Sequence, residues 1–470
     1  MWEADYDGDQ LSLRGLWSDE ANDEAEKMMA TKMSALDITG GNSKGVAKEV
    51  FNSFYEMTKV GNKSVKVVIE SDWKNLMDIR PKDITRSLLA NLFADLSDAS
   101  GKPNASRHHS LYNSWDKVTI PPNYFYQGQP EIDTTIGRFV MNKFVLGGPG
   151  VIGHVKYIND TMDAKKLKGL DSQIAKLYMT NQITRDQFDL YMDYRDTFGY
   201  WMNGMVAHTI SPAMAQPIPA ITKKKEELIK KYEKELADHN VDIMTKIVNE
   251  LMAYAKEVLK DDPGMDLYDS GDLNFDNNYR NNSIIKGAVM NQLTGEFDFI
   301  GTSMMDGLEV KDMPAHANGI LASQYPASIA TAKAGYMGKK LLALLQMMEI
   351  DYDCEDCGTK NLIPLKITNY NKSYVKYTIF VENNKEKELT DDIIDSYVGK
   401  EIMMRSPISC INDKICAKCA SNLFKMLDIK HAGLFVTQIS HSALNLGLKA
   451  KHNSVIELAT LNVDDIIKDI

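Results

Sequence analysis

Five cysteines, all between positions 354 and 419, constrain this 470-residue chain more than any other feature. Cys354 and Cys357 come first, then Cys410, Cys416 and Cys419, a C-x2-C followed by C-x5-C-x2-C. A disulfide scaffold would spread its cysteines through a small secreted domain. Two cysteines two residues apart on a tight knuckle grip one ion instead, which suits a tetrahedral thiolate site for zinc. The set that stands out by eye is the pair of C-x2-C motifs, Cys354, Cys357, Cys416 and Cys419. The bland alternative is a few buried or redox cysteines. Either way the compartment is reducing, hence the cytoplasm.

The length allows two to four domains with sizeable cores. Apolar residues make up 44% and charged residues 25%, an ordinary soluble balance. No apolar run approaches a bilayer span, and the N-terminal M-W-E-A-D is acidic, unlike a secretory signal. A net charge of −11 argues against a free-standing DNA-binding module. It still suits one subunit of a nucleic-acid machine whose partners supply the basic channel.

Helical periodicity dominates the chain. Positions 19–60 read as helix with a break at Gly40–Gly41, and Ser64–Glu70 as strand-like. Asp98–Pro122 reads as loop, and Ile132–Tyr200 as short helices alternating with turns. Ile221–Leu259 is a charged helical hairpin whose alternating Glu and Lys favour a solvated surface over a basic nucleic-acid patch. Asp261–Asn282 is polar and irregular, Pro314–Ile350 helical, residues 361–400 β-rich, and the last forty residues helical. No internal repeat or low-complexity tract is present.

The opening A-D-Y-D-G-D-Q carries Asp5, Asp7 and Asp9 at spacings of two. Three carboxylates this close raise one another's pKa and are tolerable around a divalent cation. Gly8 permits the sharp backbone path such a loop needs. Magnesium prefers these hard oxygens and keeps positions open for water and phosphate. A calcium loop counted from Asp5 would need a glutamate at Leu16, where leucine cannot ligate. Taken alone, the motif is equally an exposed acidic turn.

A-D-Y-D-G-D-Q resembles the N-A-D-F-D-G-D-Q metal loop of the β′ (largest) subunits of multisubunit RNA polymerases. The resemblance is colinear over essentially the whole chain. It continues through T-T-I-G-R-F at 134–139, Y-D-S-G-D at 268–272 and D-G-L at 306–308. T-A-K-A-G-Y-M-G-K-K-L at 331–341 is similar to the family's bridge helix, and E-D-C-G-T at 355–359 to its zinc segment. V-T-Q-I-S-H-S-A-L-N-L-G-L-K-A-K-H at 436–452 is similar to the approach to its trigger loop.

The resemblance implies an α+β, mostly helical fold. Its segments would be a catalytic metal loop from a double-psi barrel with following helices (1–60), a pore or funnel region (61–220), and a charged hairpin at the secondary-channel rim (221–262). After these come the lead into the bridge helix and the helix itself (263–350), a zinc module with a β insert (351–430) and the trigger loop (431–470). It implies magnesium-dependent nucleotidyl transfer to an RNA 3′ end, with Asp5, Asp7 and Asp9 on Mg2+. Lys449 and His452 would approach the phosphates, Leu448 would pack on the base, and Arg280 would stand near the incoming triphosphate. Thr331 and Ala332 would meet the template base pair. The ligand set implied for Zn2+ is Cys357, Cys410, Cys416 and Cys419, leaving Cys354 spare.

Two departures stand out. Glu3 replaces an asparagine that reads the sugar hydroxyl, and a carboxylate cannot donate a hydrogen bond. Pro326 should kink or divide the bridge helix. The implied partners are an N-terminal β′ part, β-type subunits and a candidate specificity subunit, with DNA template, RNA and nucleoside triphosphates, and no membrane. With only Met1–Ala4 before the first aspartate, a separate polypeptide is expected to supply the leading barrel strands, and the chain alone to be poorly soluble. Divergence, abundant Asn, Lys and Ile, and a start at the metal loop suggest the split-subunit polymerases of large bacteriophages, placing the chain in the host cytoplasm or packaged in a virion. The alternatives are a non-catalytic structural or regulatory zinc-binding subunit and a self-contained magnesium-dependent nuclease or nucleotidyltransferase.

Overall fold

The computed structural model describes residues 15–30, 32–37, 39–60, 70–92, 112–206, 209–291, 294–307, 309–345 and 347–433. The chain divides into one unit of residues 46–324 and a second of residues 1–45 with 325–470. It is about half helical with small sheets.

In the first unit, α1 (Glu49–Thr58) buries Val50, Phe51, Phe54 and Met57, one helical face. β1 (Lys117–Ile120) and β2 (Ile132–Thr135) form an antiparallel hairpin leading into α2 (Ile136–Met141). Here T-T-I-G-R-F acts as a bolt. The Thr135 side chain caps α2 by accepting from the Arg138 N–H, and Arg138 Nε donates to the Thr58 carbonyl at 2.8 Å. Gly137 sits where α2 meets the end of α1, and a Cβ there would lie 1.9 Å from the Met57 carbonyl oxygen.

Two longer helices follow, α3 (Ala164–Met179) and α4 (Arg185–Asn203), the latter opened by a capping box between Thr184 and Gln187. Phe198 of α4 meets Phe54 of α1 edge-on at 5.1 Å. Arg195 is fully buried and paired with Asp171 at 2.6 Å, which also accepts from the Tyr191 hydroxyl. α5 (Pro219–Lys231) packs against α6 (Val241–Leu259) through buried Ile221, Leu228, Met244 and Leu251, with Lys224 bridging to Glu250 at 3.0 Å. The hairpin of β3 (Gly287–Met290) and β4 (Phe297–Ile300) packs through Val289 and Ile300 on Ala315 of α7 (Met313–Leu345).

The second unit holds the helix Asp19–Ala30 and, after α7, β5 (Ile350–Asp351). β6 (Ile363–Lys366), β7 (Ile379–Glu382), β8 (Lys385–Glu388) and β9 (Glu401–Met404) form an antiparallel sheet in the order β6-β9-β7-β8. Its core is Ile367, Phe380, Leu389, Ile394 and Ile402. β10 (Ile415–Cys416) returns to pair in parallel with β5.

Several local expectations are corrected. Residues 117–120 are strand, not loop, because Val118 and Ile120 alternate inward. Residues 164–203 form helices of 16 and 19 residues rather than short ones. Asp261–Asn282 is ordered into turns, a short helix (Asp266–Asp269) and a π-helical segment (Phe275–Ile284), since its polar residues cap while Leu267, Phe275 and Tyr279 are buried. Of the strand-like Ser64–Glu70, Glu70 opens a helix and the rest lies outside the described residues. Pro326 does not divide α7, which runs continuously through it.

Gly137→Ala is expected to destabilise the first unit by about 1–3 kcal/mol or more, because backbone must move to admit the methyl. Gly169→Ala on α3, where a Cβ meets nothing within 4 Å, is expected to stabilise by about 0.5–1 kcal/mol. Urea unfolding of the full chain checks both signs.

Candidate metal centre

Three short segments build the cysteine cluster. The parallel pairing of β10 with β5 sets Ile415 opposite Ile350 and Cys416 opposite Asp351. The two following loops then run side by side, with Ala417 N–H donating to the Cys354 carbonyl and Lys418 N–H to the Glu355 carbonyl. Gly358, at φ +75°, turns the chain just after Cys357, and its N–H donates to Asp356 Oδ1 at 2.8 Å. The turn Pro407–Ser409 delivers Cys410, whose sulfur accepts from the Cys416 N–H at 3.4 Å.

The sulfurs of Cys357, Cys410, Cys416 and Cys419 all lie within 4.8 Å of one another, and those of Cys357 and Cys419 are 3.7 Å apart. Zinc bound tetrahedrally by four thiolates at about 2.3 Å needs sulfurs about 3.8 Å apart, so the cluster fits that ion. Cys416 and Cys419 are buried, Cys357 and Cys410 half-buried. Burial opposes ionisation of Cys357, but N–H donors of Ile411 and Thr359 and the neighbouring thiols outweigh it and bring its pKa down to about 6. Burial pushes Cys410 and Cys419 up. Metal ligation requires thiolates, and a dication supplies the charge that keeps them ionised together.

Cys354 stands outside this cluster, its sulfur accepting from Asn412 Nδ2 at 3.1 Å. The two C-x2-C pairs that stand out in the sequence are therefore not the set brought together. The sequence also left unmarked a charge network beside the sulfurs, built around one buried arginine. Arg405 is 3% exposed and pairs with Asp356 at 2.5 Å, while Lys418 reaches Asp356 at 3.0 Å and Glu386 at 2.7 Å. Its only signal was proximity: Asp356 adjoins Cys357, Lys418 lies between Cys416 and Cys419, and Arg405 is five residues before Cys410.

Arg280 lies in the π-helical segment Phe275–Ile284 and is 4% exposed. Its Nη2 donates to the Asn281 side chain at 3.3 Å, whereas Nε has no acceptor among the described residues. Burial pushes its pKa down, and Asp276 partly offsets that. Thr331 and Ala332 lie within α7. Asp5, Asp7, Asp9, Leu448, Lys449 and His452 lie outside the described residues. Among the described residues no helix is long and apolar enough to cross a membrane.

No family model matches the chain. Individual relatives do. The DNA-directed RNA polymerase subunit beta' of Chlorobium phaeobacteroides is 23% identical over 512 residues, covering 96% of this chain and 33% of that subunit. The same subunit of Limosilactobacillus fermentum is 22% identical, covering 89% of this chain and 38% of its own length. That of Amoebophilus asiaticus is 23% identical, covering 89% and 30%. The chain is β′-like. This β′-like chain spans about a third of the length of these curated relatives. The cysteine cluster is consistent with Zn2+.

Proposed function

We propose that this chain is the catalytic β′-type segment of a DNA-dependent RNA polymerase, active only when assembled with other subunits. One observation carries the reading: β′ similarity extends over 96% of the chain in one alignment. The gathering of Cys357, Cys410, Cys416 and Cys419 supports a zinc module at the place the β′ resemblance assigns it.

RNA synthesis is an in-line attack of the RNA 3′ oxygen on the α-phosphate of a nucleoside triphosphate, releasing pyrophosphate. Bound magnesium would lower the pKa of the attacking hydroxyl and stabilise charge on the leaving phosphates. Asp5, Asp7 and Asp9 would hold it, their mutual repulsion being relieved by the cation. Arg280 would face the triphosphate. Its Nε, buried without an acceptor among the described residues, is a donor of the kind a phosphate oxygen could satisfy.

On the trigger helix, Leu448 would pack on the base while Lys449 and His452 meet the phosphates. α7 would serve as the bridge helix, with Thr331 and Ala332 at the template base pair. Cys357, Cys410, Cys416 and Cys419 would hold zinc in a closed structural site without a chemical role. Residues 1–60 would include the metal loop of a double-psi barrel, 221–262 the rim hairpin and 431–470 the trigger loop. The narrower reading, the split-subunit type of large bacteriophages, rests on divergence from the family motifs and on abundant Asn, Lys and Ile.

The test is affinity purification of the tagged full chain from the cells that express it. The expected eluate contains further β′- and β-type chains and extends a primer RNA on a DNA template. A chain recovered alone from cells carrying out the relevant transcription, or an assembly without extension activity, refutes the proposal. Chains of host origin in place of phage-encoded ones refute only the narrower placement.

A further inference from the structure

We infer that Arg405 is a positioning residue for the thiolate cluster, a hydrogen-bond donor behind the Cys357 sulfur that ties the Cys357 knuckle to the end of β9, from which the chain runs on to Cys410. The inference rests on the zinc reading of the four cysteines and adds a residue which that reading does not include. Arg405 follows β9, and its backbone N–H is anchored on the Ile379 carbonyl of β7 at 2.8 Å. From there its side chain is directed into the cysteine knuckle. Nη1 donates to the Thr359 carbonyl at 3.1 Å, and Nη2 meets Asp356 Oδ1 at 2.5 Å and the sulfur of Cys357 at 3.8 Å. Cys357 and Cys419 come from opposite knuckles, 62 residues apart, and are in sulfur–sulfur contact at 3.7 Å.

The surrounding charges favour a donor role over simple neutralisation. Two cations, Arg405 and Lys418, share two carboxylates, Asp356 and Glu386, with Arg405 Nη1 3.5 Å from Glu386. These four charges cancel among themselves. What remains directed at the Cys357 sulfur is the N–H donor capacity of one planar, nearly fully buried guanidinium. Hydrogen bonds behind a metal's ligands orient them and tune their basicity. A fork fixed by two carboxylates and a carbonyl does this where a flexible lysine does not.

The experiment uses the full chain, loaded with zinc and then with cobalt(II) as a spectroscopic probe. Zinc affinity is read by competition with a chromophoric chelator in wild type, Arg405→Gln, Arg405→Lys and Lys418→Met. Arg405→Gln and Arg405→Lys are expected to weaken zinc by about 10–100-fold. Their cobalt–thiolate charge-transfer bands should move to longer wavelength, since sulfur lone pairs rise in energy when the guanidinium's donor is lost; glutamine is too short to place its N–H there and lysine has no fixed fork to hold one. Lys418→Met removes a cation from the same carboxylates but no donor to sulfur, so its loss of affinity and its band shift should both be clearly smaller than those of either Arg405 variant. Arg405→Lys keeps the charge beside Asp356 and serves as the reading if Arg405→Gln does not fold. Wild-type affinity with an unmoved band in Arg405→Lys overturns the inference. So does a Lys418→Met chain that loses as much zinc affinity as Arg405→Gln. A wild-type chain that takes up no zinc overturns it together with the zinc reading, whereas the other two outcomes leave that reading standing.

Discussion

Cys410→Ser is expected to empty the metal site and unfold the module around it, while Cys354→Ser leaves metal content at the wild-type level. The difference follows from where the two sulfurs lie. Cys410 belongs to the group whose sulfurs fall within 4.8 Å of one another, whereas Cys354 is engaged by Asn412 outside it. A structural zinc site contributes about 10–16 kcal/mol of apparent binding free energy, which becomes folding free energy where the apo site is not preformed. Serine offers a poor zinc ligand at neutral pH, so most of that contribution is lost.

Elemental analysis after exhaustive dialysis is expected to give about one zinc per wild-type chain and per Cys354→Ser chain, and almost none for Cys410→Ser. Thermal unfolding should show a large drop in the midpoint for Cys410→Ser alone, matched in wild type by a strong chelator. The reverse pattern, zinc lost with Cys354 and kept without Cys410, would show that the cluster is not the ligand set.

Asp7→Ala in the assembled enzyme is expected to eliminate RNA extension at every magnesium concentration, because it removes a proposed direct ligand and no added cation restores one. His452→Ala should instead slow nucleotide addition and leave template binding intact, since its proposed role begins when a triphosphate is bound. General acid assistance is typically worth about 100–10,000-fold, so a loss in or below that range fits either proton donation or electrostatic contact. His452→Gln separates the two, because glutamine donates a hydrogen bond but cannot serve as an acid. A Gln variant near the wild-type rate makes positioning and charge stabilisation sufficient. If neither His452 substitution changes the rate, the trigger-loop proposal for 431–470 is wrong. Extension that survives Asp7→Ala removes the catalytic proposal altogether.

How much of this was readable in advance depends on the range of the interactions concerned. Local periodicity identified the helical stretch at 221–259, the helix at 314–350 as far as Leu345 though not the strand at Ile350, and the β-rich insert at 361–400, because burial on one face dictates the pattern of apolar residues. It missed the strand at 117–120, where four residues carry too little pattern against polar surroundings. It also missed the order within 261–282, because the Asn and Asp residues there act as caps on turns whose apolar side chains are buried by distant elements. Pro326 lies within a continuous helix despite the expected break. The colinear motifs carried the resemblance to β′ subunits, and unaided cysteine spacing pointed to the region of the four-cysteine cluster.

Spacing alone did not choose among the five thiols, because C-x2-C describes Cys354 and Cys357 as well as Cys416 and Cys419. The β′ resemblance named Cys357, Cys410, Cys416 and Cys419, and tertiary pairing is what brings those four together. The β5–β10 pairing turns the Cys354 carbonyl to the Ala417 N–H, and the turn at Pro407–Ser409 carries Cys410 in beside Cys416. Arg405 carried no signal in the sequence beyond its nearness to Cys410. Its place behind the sulfurs is set by its backbone bond to Ile379 in the neighbouring strand, a contact 26 positions away that no spacing rule encodes.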